Sequence, residues 1–196
     1  MPTDQELRDA MAAAMDGFAT MVTEIGPDQW DRPSPCDGWS VYDVVDHVIA
    51  GDRFAAIVLG GGSLEDAIEA VVGIDHVGAD PATAARSAAA GARAGFGEPL
   101  DREVEHPVGT IPARRFLGFR IMDQLGHTWD VATGIGRRPA LDLDAVRVAL
   151  DVAAAEREML DASAHFAMPP QIAVETDDPR STFLQMIGRD PGAAPS

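Results

Sequence analysis

Residues 112–134 read PARRFLGFRIMDQLGHTWDVATG, and this stretch decides the fold. Pro112 stands where the first turn of a helix tolerates a missing N–H, no further proline follows, and Gly134 supplies a stop, so the pattern predicts a helix from about Ala113 to Thr133. Leu117, Ile121, Leu125 and Ala132 recur on one face, widened by Met122 and Trp129. A second stripe carries Asp123, His127 and Asp130 at spacings of four and three, flanked by Arg120. Residues four apart on a helix have Cβ atoms about 5–6 Å apart, near enough for a carboxylate oxygen and an imidazole nitrogen to share one ion.

Working outward, the chain continues to read as helices. Leu7, Ala10, Met11, Ala14, Met15, Phe18, Met21 and Val22 fall at spacings of three and four, which predicts a first helix from Asp4 to about Ile25. Gly26 to Gly38 carries Pro27, Pro33, Pro35 and Trp30 and reads as an ordered loop whose indole packs on the bundle. Ser40 with Asp43 resembles a capping box opening a second helix to about Leu59, with Val41, Val44, Val45, Val48 and Ile49 as its buried stripe. The glycines at 60–62 end it, and a turn or two of helix is expected around Leu64, Ile68, Val71 and Val72.

Asp80 and Pro81 suit the N-cap and first position of an Ala-rich helix reaching Phe96, whose small residues permit close packing. A short strand or extended loop is expected between Leu100 and Val108, before a turn at Gly109. A further helix fits Leu143 to Met159, then a strand at 172–174 and a last short helix from Pro179 to Ile187. The fold class is therefore mainly all-α, a helical bundle with a few short peripheral strands, and residues 1–196 are expected to form one domain.

Composition narrows the function classes. Apolar residues make up 46% and aromatic ones 6% of the chain, so the core rests on Ala, Val, Leu, Ile and Met, which suits packed helices. A net charge of −17 argues against a nucleic-acid partner, since phosphate binding relies on clustered cations displacing counterions. All 15 basic residues are arginine, which removes Schiff-base chemistry and a phosphate-loop lysine. The longest apolar runs fall well short of the roughly 20 residues that cross a bilayer, and Thr3, Asp4, Gln5 and Glu6 do not resemble a secretion signal. A cytoplasmic chain with no membrane partner is expected. The single Cys36 excludes an internal disulfide and a cysteine-rich zinc knuckle, and reads as a small buried hydrophobe. No G-x-S-x-G element or dinucleotide fingerprint is present.

Histidines and carboxylates remain as metal ligands. His47 lies on the flank of the second helix's apolar stripe, from which a bundle can bring it to Asp123 and His127. That set offers two nitrogens and one oxygen and leaves a coordination position open, as a reactive centre requires. Asp130 can orient a ligating imidazole from behind. Spacing alone leaves the alternative standing that Asp123, His127 and Asp130 are a solvated helix face.

A resemblance adds to this reading. Trp30, PSPCDGW at 33–39, Val44 to His47, Gly109-Thr110 with Pro112, the helix bearing Asp123, His127 and Trp129-Asp130, and Gly188-Arg189-Asp190-Pro191 follow one another in an order that resembles the DinB-like superfamily. Specifically, they resemble its actinobacterial branch related to the N-terminal domain of mycothiol-dependent maleylpyruvate isomerase. The resemblance implies a four-helix bundle with a divalent metal held by His47, Asp123 and His127, although the isomerase places Glu where Asp123 stands. Zinc is the expected ion and nickel the alternative, because a His, His, carboxylate set accepts several metals. The resemblance further implies mycothiol as thiol cofactor and a small electrophilic substrate, in a transferase or isomerase reaction. A dicarboxylate substrate would also need cationic groups to hold it, for which Arg114, Arg115 and Arg120 are candidates by proximity alone. The rival reading is a non-catalytic metal-binding stress-response bundle, and a homodimer is compatible with either.

Overall fold

The computed structural model describes residues 1–162 and 176–192. Helices dominate it: α1 (Asp4–Thr23), α2 (Val41–Leu59), α3 (Leu64–Glu69), α4 (Pro81–Phe96), α5 (Ala113–Gly134), α6 (Leu143–Ala155), α7 (Arg157–Ala162) and α8 (Pro179–Met186). A two-residue antiparallel ladder joins β1 (Glu103–Val104) to β2 (Ile111–Pro112), pairing Glu103 with Pro112 and Val104 with Ile111 around the expected turn. The strand expected at 172–174 lies outside the described residues. Among the described residues no helix is long and apolar enough to cross a membrane.

Local chemistry starts the helices where the sequence places them. Thr3 with Glu6, Ser40 with Asp43 and Ser63 with Asp66 each form a reciprocal capping box, and Asp80 caps α4 ahead of Pro81, satisfying N–H groups that the first turn leaves orphaned. The apolar stripes then bury as their spacing predicts: Leu7, Met11, Met15 and Phe18 on α1, Val41, Val44, Val45 and Val48 on α2.

α1 and α2 each pack against both α4 and α5, which closes a four-helix bundle, while α6 covers α1 and α5 and α8 covers α6. The small residues of α4 bring it close to α2. A Cβ built on Gly95 would lie 2.5 Å from Leu59 Cβ, so the two backbones meet where only glycine fits.

The structure corrects the expected helix from Leu143 to Met159. It breaks at Glu156 into α6 and α7. There the Glu156 carboxylate turns inward and accepts two hydrogen bonds from Arg115, at 2.7 and 2.6 Å. No proline or glycine marks the break, and the residue at it is held by a side chain of α5. α1 likewise stops at Thr23, two residues before the expected end.

α5 differs most from a surface helix. Both its apolar face and the stripe bearing Arg120, Gln124, His127 and Asp130 are buried. The bundle takes one side, and α6, the tail after α8 and the loop preceding α2 contribute to covering the other. The solvated-face alternative is thereby removed.

Candidate metal centre

The site forms where α2 and α5 face each other beneath the loop at 33–39. His47, on α2, and Asp123 and His127, one turn apart on α5, converge. Nε2 of each histidine lies 3.3 Å from Asp123 Oδ1, and the three donor atoms fall within 4.8 Å of one another. The imidazole centroids are 4.9 Å apart and nearly perpendicular. One ion can be reached by all three, through two imidazole nitrogens and one carboxylate oxygen. The His47 side chain is 41% exposed whereas that of His127 is 11% exposed, so the set is closed toward the bundle and open on the His47 side.

The loop roofs this opening. Ser34 N–H and Trp39 C=O pair across it at 2.9 Å, and Trp39 N–H closes a turn on Cys36 C=O at 3.0 Å. Gly38 occupies the third position of that turn with φ of 75°, a conformation L side chains seldom adopt. The turn sets the Trp39 ring against both imidazoles, with centroids 5.1 Å from His47 and 6.2 Å from His127. Trp30 packs edge-on against Tyr42 at 6.3 Å, as expected for an indole anchoring the loop.

Behind His127 stands Asp130, fully buried. The Nδ1–H of His127 donates to Asp130 Oδ2 at 2.8 Å, which aims Nε2 at the other two donors, as a metal-ligating imidazole requires. Asp130 also accepts from Arg189 Nη2 at 2.8 Å and Nε at 3.2 Å, and from the Cys36 thiol at 3.1 Å. Burial pushes the Asp130 carboxyl up, but His127 and Arg189 outweigh it and hold it down at about 2. Asp123 follows the same logic: burial raises it, and Arg120, His127 and His47 bring it well below the carboxylate range. For His127 burial disfavours the cation, yet Asp123 and Asp130 hold its proton on well above the ordinary range. A cation at the centre of the three donors would take the place of that proton.

Cys36, His127 and Asp130 form a second group with ligand atoms in reach of one another. The Arg189 guanidinium already serves as its cation, touching Asp130 and lying 3.5 Å from Cys36 Sγ. The donor chemistry therefore fits an ion at His47, Asp123 and His127 and not at Cys36.

The arginines that are candidates by proximity for a substrate anion are occupied. Arg114 is bound to Pro2 C=O and lies 3.8 Å from Asp4, Arg115 to Glu156, and Arg120 to Asp52 and Asp123. Arg120 is buried among these partners. Sequence reasoning named Arg189, Cys36 and Trp39 only within the segments that carry the resemblance and did not place them at the site, because they reach it from the tail and the loop, beyond the reach of helical periodicity. It also missed Asp52 and Gln124, whose polar character at core positions was the available signal.

Comparison with known proteins agrees with this architecture. Residues 11–132 match the family described as the mycothiol maleylpyruvate isomerase N-terminal domain. Two uncharacterized proteins of Mycobacterium tuberculosis, from strains CDC 1551 / Oshkosh and ATCC 25618 / H37Rv, are each 30% identical over 135 residues. The match spans 66% of this chain and 67% of each relative. Among solved structures, a histidine-to-alanine mutant of the mycothiol-dependent maleylpyruvate isomerase superposes with a TM-score of 0.58 at 15% identity, covering 89% of this chain and 77% of that one. A second structure of the isomerase gives 0.52 at 16% identity, covering 80% and 72%. At these identities the superpositions bear on the fold, while the match over 11–132 bears on descent, and the chain belongs to the mycothiol maleylpyruvate isomerase N-terminal domain family.

Proposed function

We propose that this protein binds one divalent metal through His47, Asp123 and His127 and uses it with a small thiol, mycothiol in the family's chemistry, to transform a small electrophile by transfer or isomerisation. The observation that carries the reading is the convergence of Nε2, Oδ1 and Nε2 with Asp130 fixing the His127 tautomer. Zinc suits two imidazoles and a carboxylate with a position left open. An ion there supplies a Lewis acid that lowers the pKa of a thiol at the open position toward neutrality.

The chain's own residues do the rest. His47 and Asp123 present donors from opposite helices, so the site depends on α2 and α5 staying packed. Asp130 keeps His127 oriented, and Arg189 balances the Asp130 charge. Trp39 walls the open side and excludes water from part of it, offering an apolar face to the thiol's substrate. With Arg114, Arg115 and Arg120 bound elsewhere, those three do not support a dicarboxylate substrate, and a less charged electrophile fits the surroundings better.

Calorimetric titration of mycothiol into zinc-loaded and metal-free protein tests the reading. Binding to the loaded form with proton release, and none to the metal-free form, is expected. Equal binding to both, or to neither, refutes the thiol role.

A further inference from the structure

A buried polar assembly lies directly behind Asp123 and divides its carboxylate. Oδ1 faces the two histidines at 3.3 Å, while Oδ2 accepts a hydrogen bond from Arg120 Nη1 at 2.6 Å. The other terminal nitrogen of Arg120 donates to Asp52 Oδ1 at 2.8 Å and to the Val48 carbonyl at 3.2 Å. Asp52 is fixed in turn by Gln124 Nε2, at 2.8 and 3.0 Å. Asp52, Arg120 and Gln124 are all buried. Arg120 and Asp52 neutralise each other, which is how a guanidinium can stand beside a site for a cation.

Room for this guanidinium comes from Gly51, one helical turn after His47. A Cβ at residue 51 would lie 2.9 Å from Arg120 Cζ and 3.1 Å from Nη2, so any side chain there displaces the fork. α2 thus offers a donor at His47 and a notch at Gly51 on successive turns, facing Asp123 and Arg120 on α5. We propose that Arg120, seated in the Gly51 notch and anchored by Asp52, is the positioning residue that commits Asp123 to the metal through Oδ1 alone. This rests on the metal reading above. A charge-assisted hydrogen bond at 2.6 Å occupies the second oxygen, so Asp123 binds through one atom and the position a bidentate carboxylate would fill stays open for the thiol.

The test compares the full-length wild type with Gly51→Ala, Arg120→Lys and, as control, Gly17→Ala on α1, where a Cβ meets nothing within 4 Å. Alanine favours a helix at both glycines, so a loss confined to residue 51 is not a loss of helix. Zinc affinity is read by competition with a chromophoric chelator, and coordination by the visible spectrum of the cobalt(II) form. Gly51→Ala and Arg120→Lys are expected to weaken zinc about 10- to 100-fold and to lower the intensity of the cobalt bands as the freed oxygen adds a ligand, with Gly17→Ala unchanged. Should Gly51→Ala fail to fold, Arg120→Lys carries the comparison alone. Zinc affinity within twofold of wild type and an unaltered cobalt spectrum in both variants overturn the assignment and leave the metal reading intact. A wild type that binds neither zinc nor cobalt overturns both.

Discussion

Asp130→Asn separates the two tasks that Asp130 performs, because it is nearly isosteric, removes the charge and turns one accepting oxygen into a donating NH2. In the wild type the carboxylate accepts from His127 at 2.8 Å and from Arg189 at 2.8 and 3.2 Å, with no exposed surface. Loss of the charge leaves Arg189, whose side chain is 13% exposed, facing a neutral amide. Breaking a buried pair in this way costs up to about 3–5 kcal/mol, which for a chain of this size lowers Tm by about 6–20 °C. Separately, the weaker acceptor behind His127 reduces zinc affinity about 10- to 100-fold, equivalent to about 1.4–2.7 kcal/mol. Adding Arg189→Met removes the stranded cation but not the loss behind His127. The double variant should therefore recover much of the metal-free protein's Tm, by calorimetry, while zinc affinity stays low. Zinc affinity unchanged in Asp130→Asn, or recovering together with Tm in the double variant, refutes the reasoning.

Further outcomes follow from the same geometry. In the metal-free protein His127 holds its proton more tightly folded than unfolded. This stabilisation is complete below the unfolded value near 6.5 and is lost as pH rises through the raised folded value, so urea stability should fall as pH rises above 6.5; His127→Gln should remove that slope. Burial, then Arg115 and Arg120, lower His106 from 6.5 to about 4, so its contribution to stability is complete above 6.5 and is lost as pH falls through the folded value, by less than the bare shift implies because the ring is partly solvated. His106→Phe, set among Phe54, Phe116 and Phe119, should flatten that acid limb, and an unchanged limb would place the titrating group elsewhere. Gly95→Ala should destabilise by about 1–3 kcal/mol through overlap with Leu59, against the gain an unhindered helical glycine gives, and a raised Tm would show that α2 and α4 can separate without cost.

Much of the bundle was legible because its helices carry their own boundaries. Ser40 with Asp43, and Asp80 with Pro81, mark starts by local hydrogen bonding, and the stripes on α1 and α2 bury as periodicity demands. The stripe of Asp123, His127 and Asp130 was also readable as a line along α5. Its burial was not, since that depends on α6, the 33–39 loop and Arg189 arriving from distant parts of the chain. The break at Glu156 escaped as well: no proline or glycine marks it, and the Arg115 that pairs with Glu156 lies 41 residues away in sequence. Cys36, read as a buried hydrophobe, is half-buried and hydrogen-bonded to Asp130. The occupation of Arg114, Arg115 and Arg120 likewise required partners that no spacing reveals.

The central claim, that His47, Asp123 and His127 hold one ion, is tested most directly by elemental analysis of protein purified without a histidine tag or chelator. Wild type should be set beside His47→Ala and His127→Ala. Close to one equivalent of divalent metal is expected in the wild type, zinc first among the candidates, with its loss in both variants while each stays folded. No metal in the wild type after reconstitution, or full retention in both variants, would contradict the claim.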